Sequence, residues 1–393
     1  MTEIDNALRS LKEGHWFKLI CGASYQHLPA VRNLSLAYTL AGADCIDVAA
    51  DPSVIASVQA AIAVASTLME EARQRGFGSR GELPWLMVSL NDGEDPHFRK
   101  AEFNAVECPS QCDRPCERVC PAQAIVFHPP RDDYSKVVSS GVISENCYGC
   151  GRCLPVCPPQ IIYTRSYVST PGAIAPLVLA TGVDAVEIHT QVGRTAEFQR
   201  LWLSIAPWIE RLKLVAISCP DGDGLIEYLH SLHRLISPLK CPIIWQTDGR
   251  PMSGDIGDGT TLAAVKLGQK VLAAGLPGYV QLAGGTNSYT VAKLAAMGLL
   301  RKSQKSNVKS QNNYDLRLTT YDFPAPDSHI SGIAYGSYAR VLLSPILHQL
   351  EQMEVNPANE RAIACLENVP ELLWQAVELA YSLVSQLKSM ELP

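Results

Sequence analysis

Residues 45–74 read CIDVAADPSVIASVQAAIAVASTLMEEARQ: an apolar run, an Asp-Pro break at Asp51-Pro52, and a long Ala-rich stretch that ends in charge. The first run is short and largely apolar, which suits a strand covered on both faces. The second has the length and composition of a helix, and at 52–69 its polar residues Ser57, Gln59, Ser66 and Thr67 favour a buried helix over a bilayer span. Together they make one βα unit. The same alternation recurs along the chain, with strands expected at KLICGAS (18–24), CIDVAAD (45–51), WLMVSLN (85–91), AVEIHT (185–190), LVAIS (214–218), IIWQT (243–247), YVQLAGG (279–285) and GIAYGS (332–337). Each is followed by a helical stretch, such as TTLAAVKLGQKVLAAG (260–275) after the sixth. Eight such units are the count of a (β/α)8 barrel, with an open doubly wound sheet as the alternative.

Two stretches break the alternation. Residues 302–329, KSQKSNVKSQNNYDLRLTTYDFPAPDSH, are polar and end Pro-rich, so they read as an excursion between the seventh and eighth units. Residues 91–167 fall between the third strand and the helix TPGAIAPLVLATG, and hold eight of the thirteen cysteines. The expected organisation is therefore an α/β chain whose barrel-like domain is split: residues 1–95 and 168–393 form it, with two closing helices at the C-terminus, and 96–167 form an inserted module. Loops that follow barrel strands gather at the C-terminal mouth, where these folds keep their active sites.

The inserted cysteines come in two runs. CYGCGRCLPVCP places Cys147, Cys150, Cys153 and Cys157 in the spacing C-x-x-C-x-x-C-x-x-x-C-P. This is the bacterial ferredoxin run, in which a tight loop wraps three thiolates around one cluster and the fourth serves the other. CPSQCDRPCERVCP places Cys108, Cys112, Cys116 and Cys120 at a constant interval of four. That interval could also be a helix stripe, but Pro115 would break the helix within the run and Pro109 holds Cys108 extended. Both runs end in Cys-Pro and precede β-like segments, AIVFHP and IIYTRS. The pattern is that of a two-cluster, ferredoxin-like module with crossed ligation: Cys157 completes the first cluster and Cys120 the second. Two 4Fe-4S clusters are expected; the looser spacing of the first run leaves a three-iron 3Fe-4S or labile cluster open there, and zinc or structural cysteines are the competing readings.

Composition narrows the partners. Hydrophobic residues make up 47% and charged residues 18%, with a net charge of −6 and no long basic run, which argues against nucleic acid. The N-terminus, MTEIDNALRSLKEGHWFKLI, lacks the basic start and apolar core of a secretory signal, so a cytoplasmic protein without a transmembrane segment is expected. Clustered cysteines in such a reducing compartment point to metal rather than disulfides. Cys21, Cys45, Cys219, Cys241 and Cys365 are scattered and read as core residues.

At the barrel mouth three weaker signals stand out. Gly284 and Gly285 in AGGTNSYT and Gly336 in AYGSYAR follow the seventh and eighth strands, where many barrels cradle phosphate, although a tight turn explains them as well. The Gly/Asp loop 246–261 carries Asp248, Arg250, Asp255 and Asp258 and suits a ligand, a hard cation or plain solvation. Glu187 and His189 alternate on the fourth strand, so at least one is expected to face the barrel interior. Walker, Rossmann and nucleophile-elbow motifs are missing, and the cysteine spacing departs from the radical-SAM run.

The segment FKLICGASYQHLPAVRNLSLAYTLAGADCIDVAADP, followed by CPSQCDRPCERVCPAQAI and ENCYGCGRCLPVCP, resembles the cyanobacterial light-dependent period family of circadian iron-sulfur proteins. The resemblance runs through nearly the whole chain. It implies a protein that reports light-set cellular redox state to the circadian clock and touches clock-input components such as a sensor histidine kinase. It carries cluster ligation to the eight module cysteines and names no catalytic residue. Redox sensing or electron transfer is thus the expected function, with electron donors and acceptors or the quinone pool as further partners. The alternative is a barrel oxidoreductase whose clusters feed a flavin or a phosphorylated substrate at the mouth.

Overall fold

The computed structural model describes residues 5–21, 28–78, 82–93, 99–120, 123–127, 140–143, 147, 153–166, 171–249, 259–301, 329–354 and 365–388. Eight parallel strands close into a barrel: β1 (Trp16–Ile20), β2 (Cys45–Ala49), β3 (Trp85–Asn91), β4 (Ala185–His189), β5 (Leu214–Pro220), β6 (Ile243–Asp248), β7 (Tyr279–Ala283) and β8 (Gly332–Tyr335). Each pairs with its neighbours in sequence and β8 returns to β1, with Trp16 opposite Gly332. All eight expected strands are present, so the closed barrel stands and the open sheet does not.

The Asp-Pro break after β2 has a clear local cause. Asp51 caps the helix Pro52–Gln74, its Oδ1 accepting from the Ser53 amide at 2.7 Å, while Pro52 fills a first-turn position that needs no N–H partner. That helix buries Val54, Ile55, Val58, Ala61 and Ala65 against the barrel but exposes Ala56, Gln59, Ala60, Ala63, Ser66 and Thr67. It is long and apolar enough to cross a membrane by length and composition alone. The expectation of a buried helix is corrected to one buried face: alanine is small enough to sit on either side, so composition overstated its burial.

Two further differences concern the N-terminus. β1 begins at Trp16, two residues before the expected start, because Trp16 already lies in the barrel floor, donating through Nε1 to Gln281 Oε1 at 2.6 Å. A helix at Asn6–Glu13, too short for periodicity to reveal, starts at the Asp5 cap and ends at Gly14, whose φ of 85° suits glycine. Its Ala7 and Leu11 close the floor together with Cys45, Trp85, Met87, Leu214, Ile244 and Tyr279. Outside the strands, one continuous apolar core joins barrel and helices, including the stack of Phe17 between Tyr38 and Tyr335. The two C-terminal helices form over Ser337–Glu354 and Pro370–Lys388. The second is pinned by Lys388 on the buried Asp44 carboxylate at 2.6 Å.

The cysteine segment sits where expected, in the loop after β3. Its elements run from Arg99 to Ser166, and the helix Pro171–Leu179 then resumes the barrel. The polar excursion 302–328 lies outside the described residues.

Candidate functional site: the cysteine module and the barrel mouth

The module is tied off at its base by an antiparallel pair, Arg99–Glu102 with Tyr163–Ser166, and braced by a second, Ile125–Val126 with Gly141–Val142. The IIYTRS and AIVFHP segments thus contribute one strand each. In the first run only Pro115–Val119 is helical, and Pro115 opens that turn rather than interrupting a longer one. Arg114 enters it with φ of 52°, and its guanidinium lies over the Phe127 ring at 4.3 Å. Cys108 stands extended before it and Cys120 extended after it. The four cysteines therefore do not form a helix stripe.

Sulfur is the centre of the module's core. Cys116, Cys147, Cys153 and Cys157 are buried with Ala101, Phe103, Ala124, Ile125 and Ile162, while Cys108, Cys112 and Cys120 are half-buried. Two backbone amides donate to sulfur: Ala101 to Cys147 Sγ at 3.3 Å and Ala124 to Cys120 Sγ at 3.2 Å. Burial, then the neighbouring Cys157 sulfur, push the Cys116 thiol up to about 11. Burial and the Cys112 sulfur also raise Cys108, with Cys157 adding to the effect. Burial so disfavours the bare thiolate, an effect that a bound metal's positive charge would offset. Cys150 lies outside the described residues. Among the described residues no three Cys, His, Asp or Glu side chains converge as they would around one ion. Cluster thiolates bind separate irons and stand further apart than the four ligands of one zinc. All-thiol donors, amide-to-sulfur hydrogen bonds and an apolar surround fit an iron-sulfur cluster.

The module meets the barrel at its rim. Lys100, beside the amide that serves Cys147, reaches Asp51 at the end of β2, with Nζ 3.6 Å from Oδ2. Both side chains are buried, so the contact is a joint rather than a solvated pair.

Inside the barrel, above the apolar floor, the strands present charge. Lys18 of β1 contacts Glu187 of β4 and lies 3.3 Å from Asp47 of β2; all three are buried. Ser89 donates to Asp47 at 2.7 Å, and Gln246 donates to Glu187 at 2.7 Å. Gln281 in turn donates to Gln246 at 2.6 Å. Both Glu187 and His189 face this interior, with His189 Nε2 at 3.1 Å from Glu187 Oε1. Burial alone would raise the Glu187 carboxyl, but Lys18 and His189 hold it below its ordinary value. Burial opposes charge on His189 too, yet the Glu187 hydrogen bond and the charges of Glu187, Asp248 and Asp47 lift it to about 9. Asp47 is raised, burial outweighing Lys18. Asp248 of β6 accepts from Ser218 of β5.

Of the other expected site residues, Gly284 and Gly285 have φ of 64° and 95°. A Cβ on Gly285 would come within 2.9 Å of the Thr260 carbonyl oxygen, and the Gly285 carbonyl accepts from Thr260 Oγ1 at 2.8 Å. Tight packing of two loops accounts for that glycine. A Cβ on Gly336 would meet nothing closer than 3.7 Å. Arg250, Asp255 and Asp258 lie outside the described residues. Sequence reasoning passed over Lys18, Asp47, Ser218, Gln246 and Gln281. Their signal was present: each is a polar side chain inside an apolar strand, on the alternate positions that face inward.

Fold and site together define a (β/α)8 barrel protein carrying an iron-sulfur module in the loop after its third strand. Residues 108–168, which contain all eight clustered cysteines, match the LdpA Fe-S cluster-binding domain, and residues 177–386 match the Light dependent period A C-terminal domain. Light dependent period A of Synechococcus elongatus is 46% identical over 381 residues, covering 97% of this chain and 93% of that protein. The chain belongs to the Light dependent period A family. Likeness to solved structures is distant: the carboxyl transferase domain of Rhizobium etli pyruvate carboxylase gives a TM-score of 0.36 at 10% identity, over 96% of this chain and 49% of that one. The (S)-3-O-geranylgeranylglyceryl phosphate synthase of Thermoplasma acidophilum gives 0.30 at 11%, over 99% of both chains.

Proposed function

We propose that this protein is an iron-sulfur redox sensor in the light-dependent control of circadian period. The observation that carries the proposal is the sulfur-centred module core seated on the barrel rim through Lys100 and Asp51. The name of the Synechococcus relative supplies the light-dependent period. Bound clusters would supply one-electron redox chemistry.

The chain's own residues do the rest. Cys108, Cys112 and Cys116 hold one cluster with Cys157; Cys147, Cys150 and Cys153 hold the other with Cys120. The Cys157 half of the crossed assignment is supported by the influence of Cys157 on the thiols of Cys116 and Cys108. Both clusters are of the 4Fe-4S type, the first being the one that can lose an iron. The Ala101 and Ala124 amides stabilise negative charge on sulfur. Lys100 couples charge at the Cys147 side of the module to the barrel, because its neighbour Ala101 binds that sulfur while its own ammonium meets Asp51. The protein acts in the cytoplasm on clock-input partners such as a sensor histidine kinase and exchanges electrons with soluble carriers or the quinone pool.

Anaerobic purification with iron and sulfide quantification tests the cofactor: a brown protein with broad cluster absorbance is expected, and a colourless, zinc-loaded one ends the proposal. Reduction-dependent partner binding without turnover is expected of a sensor. A flavin spectrum remaining after cluster removal would instead favour the oxidoreductase alternative, for which the polar barrel mouth speaks. Cys157→Ser should disturb the electron paramagnetic resonance signal of the first-run cluster more than that of its own run; the reverse result refutes crossed ligation.

A further inference from the structure

The inward faces of β4, β5 and β6 bring three side chains to one point of the barrel rim. Ser218 is the register partner of both His189 and Gln246, and its hydroxyl donates to Asp248 Oδ2, so His189 and Asp248 stand on either side of it. Among the described residues, each of the two is held by one end only. Glu187 fixes His189 at Nε2, while Nδ1 has no partner among the described residues and the side chain is 30% exposed. Asp248 is fixed at Oδ2 and half-buried, and its Oδ1 has no partner among the described residues.

Glu187 itself is saturated. It receives Lys18, Gln246 and His189 and has no exposed surface, so it is a support for the imidazole rather than a group that meets a ligand. A histidine with one ring nitrogen fixed by a buried carboxylate has its other ring nitrogen left to meet a ligand. Surrounding carboxylates hold His189 in its cationic form, so that group is a donor. The rim therefore offers one positive donor beside one carboxylate acceptor, whose carboxyl burial raises and the His189 charge lowers.

We propose that this rim binds a small zwitterion of the α-amino-acid class, its carboxylate accepting from His189 Nδ1–H and its ammonium donating to Asp248 Oδ1. Electrostatic complementarity selects the class. A simple anion would meet Asp248 and Glu187, and a simple cation would meet His189 and Lys18; a zwitterion gives each of the two atoms left open among the described residues a partner of opposite charge. The inference is independent of the redox reading, because ligand binding here and iron content in the module are measured separately.

The experiment uses the full chain purified anaerobically with its clusters, glycine as probe, and acetate and methylamine as the two halves of that probe. Saturation-transfer NMR should show glycine binding and each half binding at least about tenfold more weakly, in line with the loss of one charge-assisted hydrogen bond. His189→Gln and Asp248→Asn should each weaken glycine by about tenfold or more on the same grounds. The imidazole 15N resonance of His189 should move on addition of glycine and move much less with acetate at the same concentration and ionic strength. A purely structural histidine would not give that response. No glycine binding in the tens of millimolar range, equal binding of acetate, or binding that survives both substitutions would overturn the proposal.

Discussion

The barrel and the cysteine module are built on opposite terms. The barrel closes eight strands around an apolar floor and wraps them in a continuous hydrophobic core. Among its described residues the module has two two-stranded sheets, helical turns of five residues or fewer, and a core that includes four buried cysteines. A segment of that size buries too little apolar surface to stand by itself, and metal ligation is the usual remedy. One chain thus holds a region that folds by burial and an iron-sulfur-binding region with little apolar core of its own.

The largest expected effect follows from this contrast. Iron removal by a chelator under reducing conditions should open residues 99–166 to hydrogen exchange and proteolysis while the barrel strands keep their protection. Uniform loss of protection across both regions would break the distinction, and unchanged protection in the module would show that its small core suffices.

Within the barrel, the comparison is sharpened by a place where burial does not rule. Lys18 is buried between two carboxylates, and Lys18→Met would take the lysine charge from Asp47 and leave Glu187 with His189 alone. Removing one partner of a buried ionic group costs about 3–5 kcal/mol. A correspondingly large fall in the thermal midpoint is expected, with cluster absorbance retained at low temperature. A midpoint within a degree or so of wild type would mean that the carboxylates simply take up protons, and that the interior charge carries little of the barrel's stability.

How much of this was legible depends on the type of order. Barrel strands show as short apolar runs between helical ones, and the Asp51-Pro52 break is visible because a cap and a first-turn proline are local chemistry. Cysteine spacing is likewise local, so an iron-sulfur-binding segment was readable. Contacts assembled from distant strands were not. Lys18, Asp47, Glu187 and Gln246 come from four strands whose meeting depends on register around the closed barrel, and no window of sequence contains that register. Lys100 meets Asp51 across a similar gap: a lone lysine ahead of the cysteines gives no sign that it is a joint. For Gly285, two explanations were open in sequence, and packing against Thr260 supplies the structural one.

The smallest expected effect is a pH slope that belongs to the barrel alone. His189 is raised to about 9 by its hydrogen bond to Glu187 and by the surrounding carboxylates, after burial has opposed the charge. The folded state therefore binds the proton more tightly than the unfolded chain, whose histidines titrate at about 6.5. The stabilisation is fully present below that unfolded value and is lost as pH rises through the folded one, so stability should decline between roughly pH 6.5 and 9. Asp47, also raised, gives a decline at lower pH, between its unfolded and folded values, while the lowered Glu187 gives a rise in the acid range as pH increases, so neither imitates the alkaline part of the slope. Because His189 is partly open to water, the effect should be modest. Denaturant midpoints across this range should fall in the wild type and run flatter in His189→Gln, with the module's cluster absorbance following neither curve. A slope that survives the substitution would move the titrating group elsewhere and uncouple the rim histidine from the buried charge beneath it.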